Sequence, residues 1–154
     1  MILSSRLKKE NAILSNSCTV AKFLKQTDSS QTYKGFVQSP PTSAYRGHYF
    51  EISVSIPTDY PYTAPKVNFI TTIYHPNIDI KTGEVCVDIL KNAWKPMMTL
   101  NSILDVIIEL LAHPNSESPL NCDAALLIRE GEIEVFEQLA ELFCTNCCPK
   151  INDM

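Results

Sequence analysis

Nine of the ten prolines in this 154-residue chain lie between Pro40 and Pro119, and there are only four glycines. Proline fixes φ and withholds an amide donor, so the middle of the chain is built from short elements joined by rigid turns. Between those turns the periodicity is clear. His48, Phe50, Ile52, Val54 and Ile56 alternate with Tyr49, Glu51, Ser53 and Ser55, the pattern of a strand buried on one face. Lys66 to Ile70 is a second such run, with Val67 and Phe69 facing one way. Thr19 to Leu24 and Thr32 to Gln38 are two further candidate strands, separated by the turn-rich Asp28-Ser29-Ser30.

Helical spacing occupies the two ends. Leu3, Leu7 and Leu14 lie near one stripe, with Arg6, Lys8 and Lys9 beside it, which predicts a short first helix that is basic on its exposed side. Leu100, Ile103, Leu104, Ile107, Ile108 and Leu111 repeat at helical spacing behind Thr99, a candidate N-cap. A short helix is expected after Asn121, ending at Gly131, and a last one with Ile133, Phe136, Ala140 and Phe143 on one face. Strands first and helices after give the α+β class: a four-stranded antiparallel meander flanked by an N-terminal helix and C-terminal helices. No repeat or linker interrupts the chain, so residues 1–154 read as a single domain.

The bulk properties exclude several classes. Thirteen Lys and Arg against seventeen Asp and Glu give a net charge of −4, which argues against binding nucleic acid by bulk charge. No apolar run approaches the roughly 20 residues that span a bilayer, so no direct membrane insertion is expected. The densest stretch, Val106 to Ala112, is broken by Glu109. The N-terminus has no secretory apolar region; it is acid-poor like a transit peptide but reads better as a structural helix. Six cysteines (Cys18, Cys86, Cys122, Cys144, Cys147 and Cys148) without an export signal read as reduced thiols, with the cytoplasm as the default compartment. Cys144-Thr145-Asn146-Cys147-Cys148 has the look of half a zinc site, but the second pair is missing, so it reads as tail thiols that pack or sit free and no metal is expected.

Tyr74 to Pro96 has no sustained period and reads as a long ordered loop, a feature more often functional than idle. Within it Cys86 is a candidate nucleophile, and the bland alternative is a buried structural thiol. Glu84 and Asp88 flank it, and no Lys, Arg or His lies within four residues. Carboxylates near a thiol disfavour its ionised form, whereas a cysteine hydrolase wants a thiolate held by His or a helix N-terminus. A weakly activated thiol suits a carrier that receives an acyl group already activated as a thioester.

Here the residues become specific. His75-Pro76-Asn77, then Gly83-Glu84-Val85-Cys86-Val87-Asp88-Ile89-Leu90, then Trp94-Lys95-Pro96, resemble the core signature of the ubiquitin-conjugating enzymes. Ile56-Pro57-Thr58-Asp59-Tyr60-Pro61 and Ala64-Pro65-Lys66-Val67-Asn68-Phe69 upstream, with Pro114-Asn115 and Ser118-Pro119-Leu120-Asn121 downstream, extend the resemblance over residues 33–143. Ser39-Pro40-Pro41 departs from the family's usual Gly-Pro, and of its triple-proline turn only Pro65 remains. Val87 and Met97 stand where Leu and Ala are commoner.

The resemblance implies a set of roles. Cys86 would hold the ubiquitin C-terminus as a thioester. Asn77 would steady the loop or the oxyanion. Asp88 and Ser118 would line the acceptor's approach, with Ser118 where many members carry an acid. His75, Pro76 and Trp94 would be structural; a general base must reach the proton it takes, and the family's His anchors a turn. Tyr62, Pro96 and Met97 would grip a RING ligase, and Arg6, Lys8 and Lys9 would meet the ubiquitin-activating enzyme. No cofactor is implied, because ATP is consumed by the activating enzyme.

Two other classes compete: a non-catalytic scaffold of the same fold, opposed by the presence of Cys86 with Asn77, and a cysteine hydrolase, opposed by the acidic flanks. Within the first class the modifier is open. Trp94-Lys95-Pro96 with Asn101-Ser102-Ile103 is also similar to the conjugating enzyme for the ubiquitin-like protein Nedd8. Ile56-Pro57-Thr58, Lys81-Thr82-Gly83-Glu84 and Ser118-Pro119-Leu120 are similar to the peroxisomal ubiquitin-conjugating peroxins, the favoured group. That group implies a membrane-anchored recruiting partner, placement on the cytosolic face of peroxisomes and an import receptor as substrate.

Overall fold

The computed structural model describes residues 2–16, 22–27 and 31–147. Cys18, Cys148, the start of the first expected strand and the Asp28-Ser29-Ser30 turn lie outside those residues. In chain order the elements are α1 (Ile2–Asn16), β1 (Lys22–Gln26), β2 (Thr32–Gln38), β3 (Tyr49–Ser55), β4 (Lys66–Phe69), α2 (Val87–Ala93), α3 (Leu100–Ala112), α4 (Cys122–Arg129) and α5 (Ile133–Cys147). The four strands form one antiparallel sheet in the order β1-β2-β3-β4, the expected meander.

Register explains the core. Tyr33 lies opposite Val54, Val37 opposite Phe50, Ile52 opposite Phe69 and Val54 opposite Val67. Side chains alternate along a strand, so these residues share one face, and all of them are buried. Helix α3 covers that face. Its six buried aliphatics are Leu100, Ile103, Leu104, Ile107, Leu110 and Leu111. Each buried aliphatic side chain contributes about 1.5–3 kcal/mol of transfer free energy, so α3 is a large part of what holds the sheet's inner face covered. Thr99 starts this helix as the N-cap, in a reciprocal capping box with Ser102. Helix α1 packs on α3 and β1, and its Leu7 and Leu14 belong to the core.

Two expectations are corrected. The stretch from Tyr74 to Pro96 is not loop throughout, because α2 begins directly after Cys86. A two-turn helix that buries only Leu90 presents no period for the eye to find. In α5 the buried stripe is Phe136, Ala140 and Cys144, with Phe143 packed at its side and Ile133 exposed. Ile133 opens the helix ahead of its first buried residue. Helix α4 starts after Asn121 and stops before Gly131, as expected; Asn121 caps it by accepting the amide of Ala124 at 3.2 Å, and Gly131 adopts φ +77° at the turn into α5.

Candidate active site

The segment that carries Cys86 is pinned to the sheet edge. The Val85 amide donates to the Val67 carbonyl at 3.0 Å, and the Phe69 amide donates to the Gly83 carbonyl at 2.7 Å. Ile78 and Val85 form an antiparallel bridge, so residues 77–86 double back on themselves beside β4. Asp79 shapes the turn: its carboxylate accepts the amides of Thr82 at 2.7 Å and Lys81 at 2.9 Å. Those two bonds, Thr82 first, hold the Asp79 carboxyl below its usual range. Gly83 has φ +72°, and a Cβ there would lie 1.9 Å from the Phe69 carbonyl oxygen. Glycine is the residue this close approach admits.

Cys86 is the N-cap residue of α2 and is 6% exposed. Its amide donates to the Asn77 carbonyl at 2.9 Å, and its carbonyl accepts from Leu90 at 3.3 Å. The backbone that carries the thiol is thus set by Asn77 on one side and by the first turn of α2 on the other. Val87 and Asp88 follow on that turn and are exposed.

Asn77 is fully buried and engages the chain well beyond it. Its side-chain amide donates to the carbonyls of Asn115 and, at 3.2 Å, Ser118, while its Oδ1 accepts the Asn115 amide at 2.8 Å. The Pro76 carbonyl accepts the amides of Leu120 at 2.8 Å and Asn121 at 3.0 Å. Residues 115–121 are therefore fastened beside Cys86 from both Pro76 and Asn77, and Ser118 stands half-buried within them.

His75 sits beneath this loop, fully buried, with its ring 5.8 Å from that of Tyr45. Its Nδ1 accepts the Asn77 amide at 3.0 Å, which assigns the proton to Nε2, and Nε2 donates to the Leu110 carbonyl at 3.1 Å. Burial lowers its pKa to about 4, against which the Leu110 bond acts weakly. A neutral imidazole with both nitrogens engaged ties the Asn77 amide to the end of α3.

The expected ligase grip is brought together. Tyr62 is 75% exposed and Met97 80% exposed, with Pro96 exposed beside it. Trp94, buried between the two turns, donates from Nε1 to the Pro61 carbonyl at 2.7 Å and lies against the Tyr60 ring at 5.6 Å. On α1, Lys8 and Lys9 are exposed. Arg6 is only partly exposed and turns inward, donating to the Met98 carbonyl at 2.5 Å.

Sequence reasoning did not find Asn115 as Asn77's partner, nor Glu10, a buried carboxylate on the basic helix. The spacing of Arg6 and Glu10, one helical turn apart, was the available signal for the second. Of the tail thiols, Cys144 is fully buried and Cys147 is exposed. No group of three or more His, Cys, Asp or Glu able to hold a metal occurs among the described residues.

Residues 6–144 match the family profile described as ubiquitin-conjugating enzyme. The chain is 41% identical over 143 residues to the ubiquitin-conjugating enzyme E2 pex4 of Dictyostelium discoideum, covering 92% of this chain and 96% of that one. It is 44% identical over 111 residues to the protein PEROXIN-4 of Arabidopsis thaliana, covering 72% and 71%. Among solved structures, it is similar to the ubiquitin-conjugating enzyme Pex4p of H. polymorpha, crystallised in complex with the soluble domain of Pex22p. That likeness has a TM-score of 0.87 at 25% identity, covering 94% of this chain and 97% of that one. A chain matched this far along its length belongs to the ubiquitin-conjugating enzyme family, and it is a transferase of the peroxisomal type that works through a cysteine thioester.

Proposed function

We propose that Cys86 is the residue that accepts ubiquitin. Its sulfur attacks the thioester carbonyl presented by the activating enzyme, whose own cysteine leaves as thiol, and the new thioester is passed with a RING ligase to an acceptor. The observation that carries this reading is the setting of Cys86: a backbone held by Asn77 and by α2, beside a loop fastened from Pro76 and Asn77. Asn77 holds that loop, with Asp88 and Ser118 along the acceptor's approach. Tyr62, Pro96 and Met97 form the ligase grip, and the exposed Lys8 and Lys9, with the partly exposed Arg6, meet the activating enzyme. Residues 1–154 act as one conjugating domain without a cofactor of their own; the activating enzyme consumes the ATP.

The peroxisomal likeness supports work on the cytosolic face of that organelle. No helix among the described residues is long and apolar enough to cross a membrane. Recruitment falls to a membrane-anchored partner, a reading supported by the Pex4p relative solved with the soluble domain of Pex22p. The substrate is the import receptor, modified on a lysine or a cysteine. A cysteine acceptor needs less help with deprotonation, since a free thiol has a pKa of about 8.5 against about 10.4 for lysine. Ser118, where many relatives carry an acid, is consistent with that.

A charging assay tests the core of this reading. The protein is mixed with ATP, activating enzyme and ubiquitin, or with Nedd8 and its own activating enzyme, and resolved without reductant. A thiol-sensitive ubiquitin adduct is expected; Cys86→Ser converts it to a thiol-resistant ester and Cys86→Ala abolishes it. An adduct of equal yield in Cys86→Ala refutes the assignment, and charging with Nedd8 alone changes the modifier. Deletion of the gene, scored by import of peroxisomal matrix proteins, tests the cellular role: normal import excludes it.

A further inference from the structure

Glu10 is 1% exposed, although it belongs to the helix with the exposed basic side. Its Oε1 accepts the Tyr60 hydroxyl at 3.0 Å and lies 2.7 Å from Arg6 Nε, an ion pair without hydrogen-bond alignment. Its Oε2 accepts the amide of Leu100, the first residue of α3, at 3.0 Å. Arg6 then reaches the Met98 carbonyl, and its guanidinium carbon stands 6.0 Å from the Tyr60 ring centroid. Burial, and next the Glu10 carboxylate, raise the Tyr60 pKa above the usual phenol value, which keeps its hydroxyl a donor.

These contacts meet the two turns at matching places. Tyr60 lies two residues before Tyr62, and Met98 directly follows Met97. Trp94 closes the circuit between the turns through the Pro61 carbonyl. One buried carboxylate thus sits between α1, the start of α3 and both turns that present the exposed anchors. A buried carboxylate is stable only with its oxygens engaged, and removing it strands every donor that served it. The carboxylate thus ties α1 directly to the Tyr60 turn and to the start of α3, and through Arg6 to the Met98 turn.

We propose that Glu10 is a positioning residue for ligase docking: by joining Tyr60, Arg6 and the Leu100 amide, it sets the spacing of Tyr62 and Met97 that a RING domain reads. This rests on Tyr62 and Met97 being the ligase grip. Glu10 itself is shielded from any partner, so its effect is on the geometry that the partner meets.

The test uses full-length protein charged with ubiquitin and a RING domain chosen because it stimulates the unmodified protein. Discharge to free lysine is followed while the RING domain is titrated. Glu10→Gln keeps the shape and removes the charge. It is expected to raise the RING concentration for half-maximal stimulation about ten-fold, as the loss of one charge-assisted hydrogen bond would. Unstimulated discharge, and the rate at saturating RING domain, should remain within about two-fold of the unmodified protein, since affinity and chemistry are separable. A role in stability alone lowers the melting temperature and leaves the half-maximal concentration where it was, and that result overturns the proposal. Tyr60→Phe removes a single hydroxyl and decides the matter in the same way if Glu10→Gln does not fold: a weakened RING response supports the proposal and an unchanged one overturns it. Tyr62→Ala runs in parallel. If Tyr62→Ala also leaves stimulation intact, the ligase grip itself has been misplaced; if it abolishes stimulation while the other two do not, only the role of Glu10 fails.

Discussion

Asn77 and Asn115 bind each other in both directions: the Asn77 side-chain amide donates to the Asn115 carbonyl, and the Asn115 backbone amide donates back to Asn77 Oδ1 at 2.8 Å. The other proton of the Asn77 amide goes to the Ser118 carbonyl at 3.2 Å. Both donors of this carboxamide are therefore engaged by the loop, and neither is left for an oxyanion. Of the two roles the resemblance implied for Asn77, the bonds support the steadying of the loop.

Replacing Asn77 with Ala strands the Asn115 amide and two carbonyls. An unsatisfied buried polar group costs about 1–3 kcal/mol, and a drop of that size is expected in the unfolding free energy. Charging of Cys86 should remain, because the Asn77 backbone carbonyl still holds the Cys86 amide. Discharge to lysine should slow, because the loop beside the thioester loses its fastening. Single-turnover discharge, measured with an unfolding curve, checks both; discharge at the unmodified rate would separate the loop from the chemistry.

Gly83→Ala tests how the segment is pinned. The added Cβ meets the Phe69 carbonyl, a backbone atom that cannot rotate away, and φ is positive. Strain of this kind costs about 1–3 kcal/mol. The expected result is a lower denaturant midpoint together with slower charging, because the Phe69–Gly83 bond aligns the segment that leads to Cys86. A midpoint within error of the unmodified protein would show that the segment can move off β4 freely.

His75 makes stability depend on pH. Its ordinary pKa is 6.5 and burial lowers it to about 4 in the folded protein, so the fold prefers the neutral ring. The contribution is complete above the unfolded value and declines as pH falls from about 6.5 toward 4, where the unfolded chain binds the extra proton. At 1.36 kcal/mol per pH unit the full loss is about 3 kcal/mol. Denaturant unfolding across that range should show this slope, and His75→Gln, less stable throughout, should show a shallower one. Parallel slopes would remove His75 as the cause.

Tyr62→Ala and Met97→Ala address the ligase grip. Both side chains are exposed and make no core contact, so the substitutions should leave the melting temperature nearly unchanged, within about 0.5 kcal/mol in stability. Charging should persist while stimulation by a RING domain is lost. Stimulation equal to that of the unmodified protein would place docking elsewhere.

The period of two in β3 and of 3.6 in α3 made the meander and its covering helix legible, because each element buries one face and the pattern is written along consecutive residues. The cap at Thr99 was legible for the same reason: an N-cap acts within three positions of itself. Cys86, Asn77 and the turns around them stood out through the family resemblance that their residues carry. Helix α2 was not, since seven residues with one buried side chain carry no pattern. Nor were the partnerships that hold the site: Asn77 with Asn115 spans 38 positions, Glu10 with Tyr60 spans 50, and Glu10 with Leu100 spans 90. The sequence by itself determined the strands, the long helices and the fold class, because each rests on periodicity or on short-range order, and its resemblance to a family singled out Cys86 as the candidate thiol. The tertiary structure alone decided which polar groups meet in the interior. Buried donors and acceptors must be matched once the chain has closed, and only the closed chain determines which ones are neighbours.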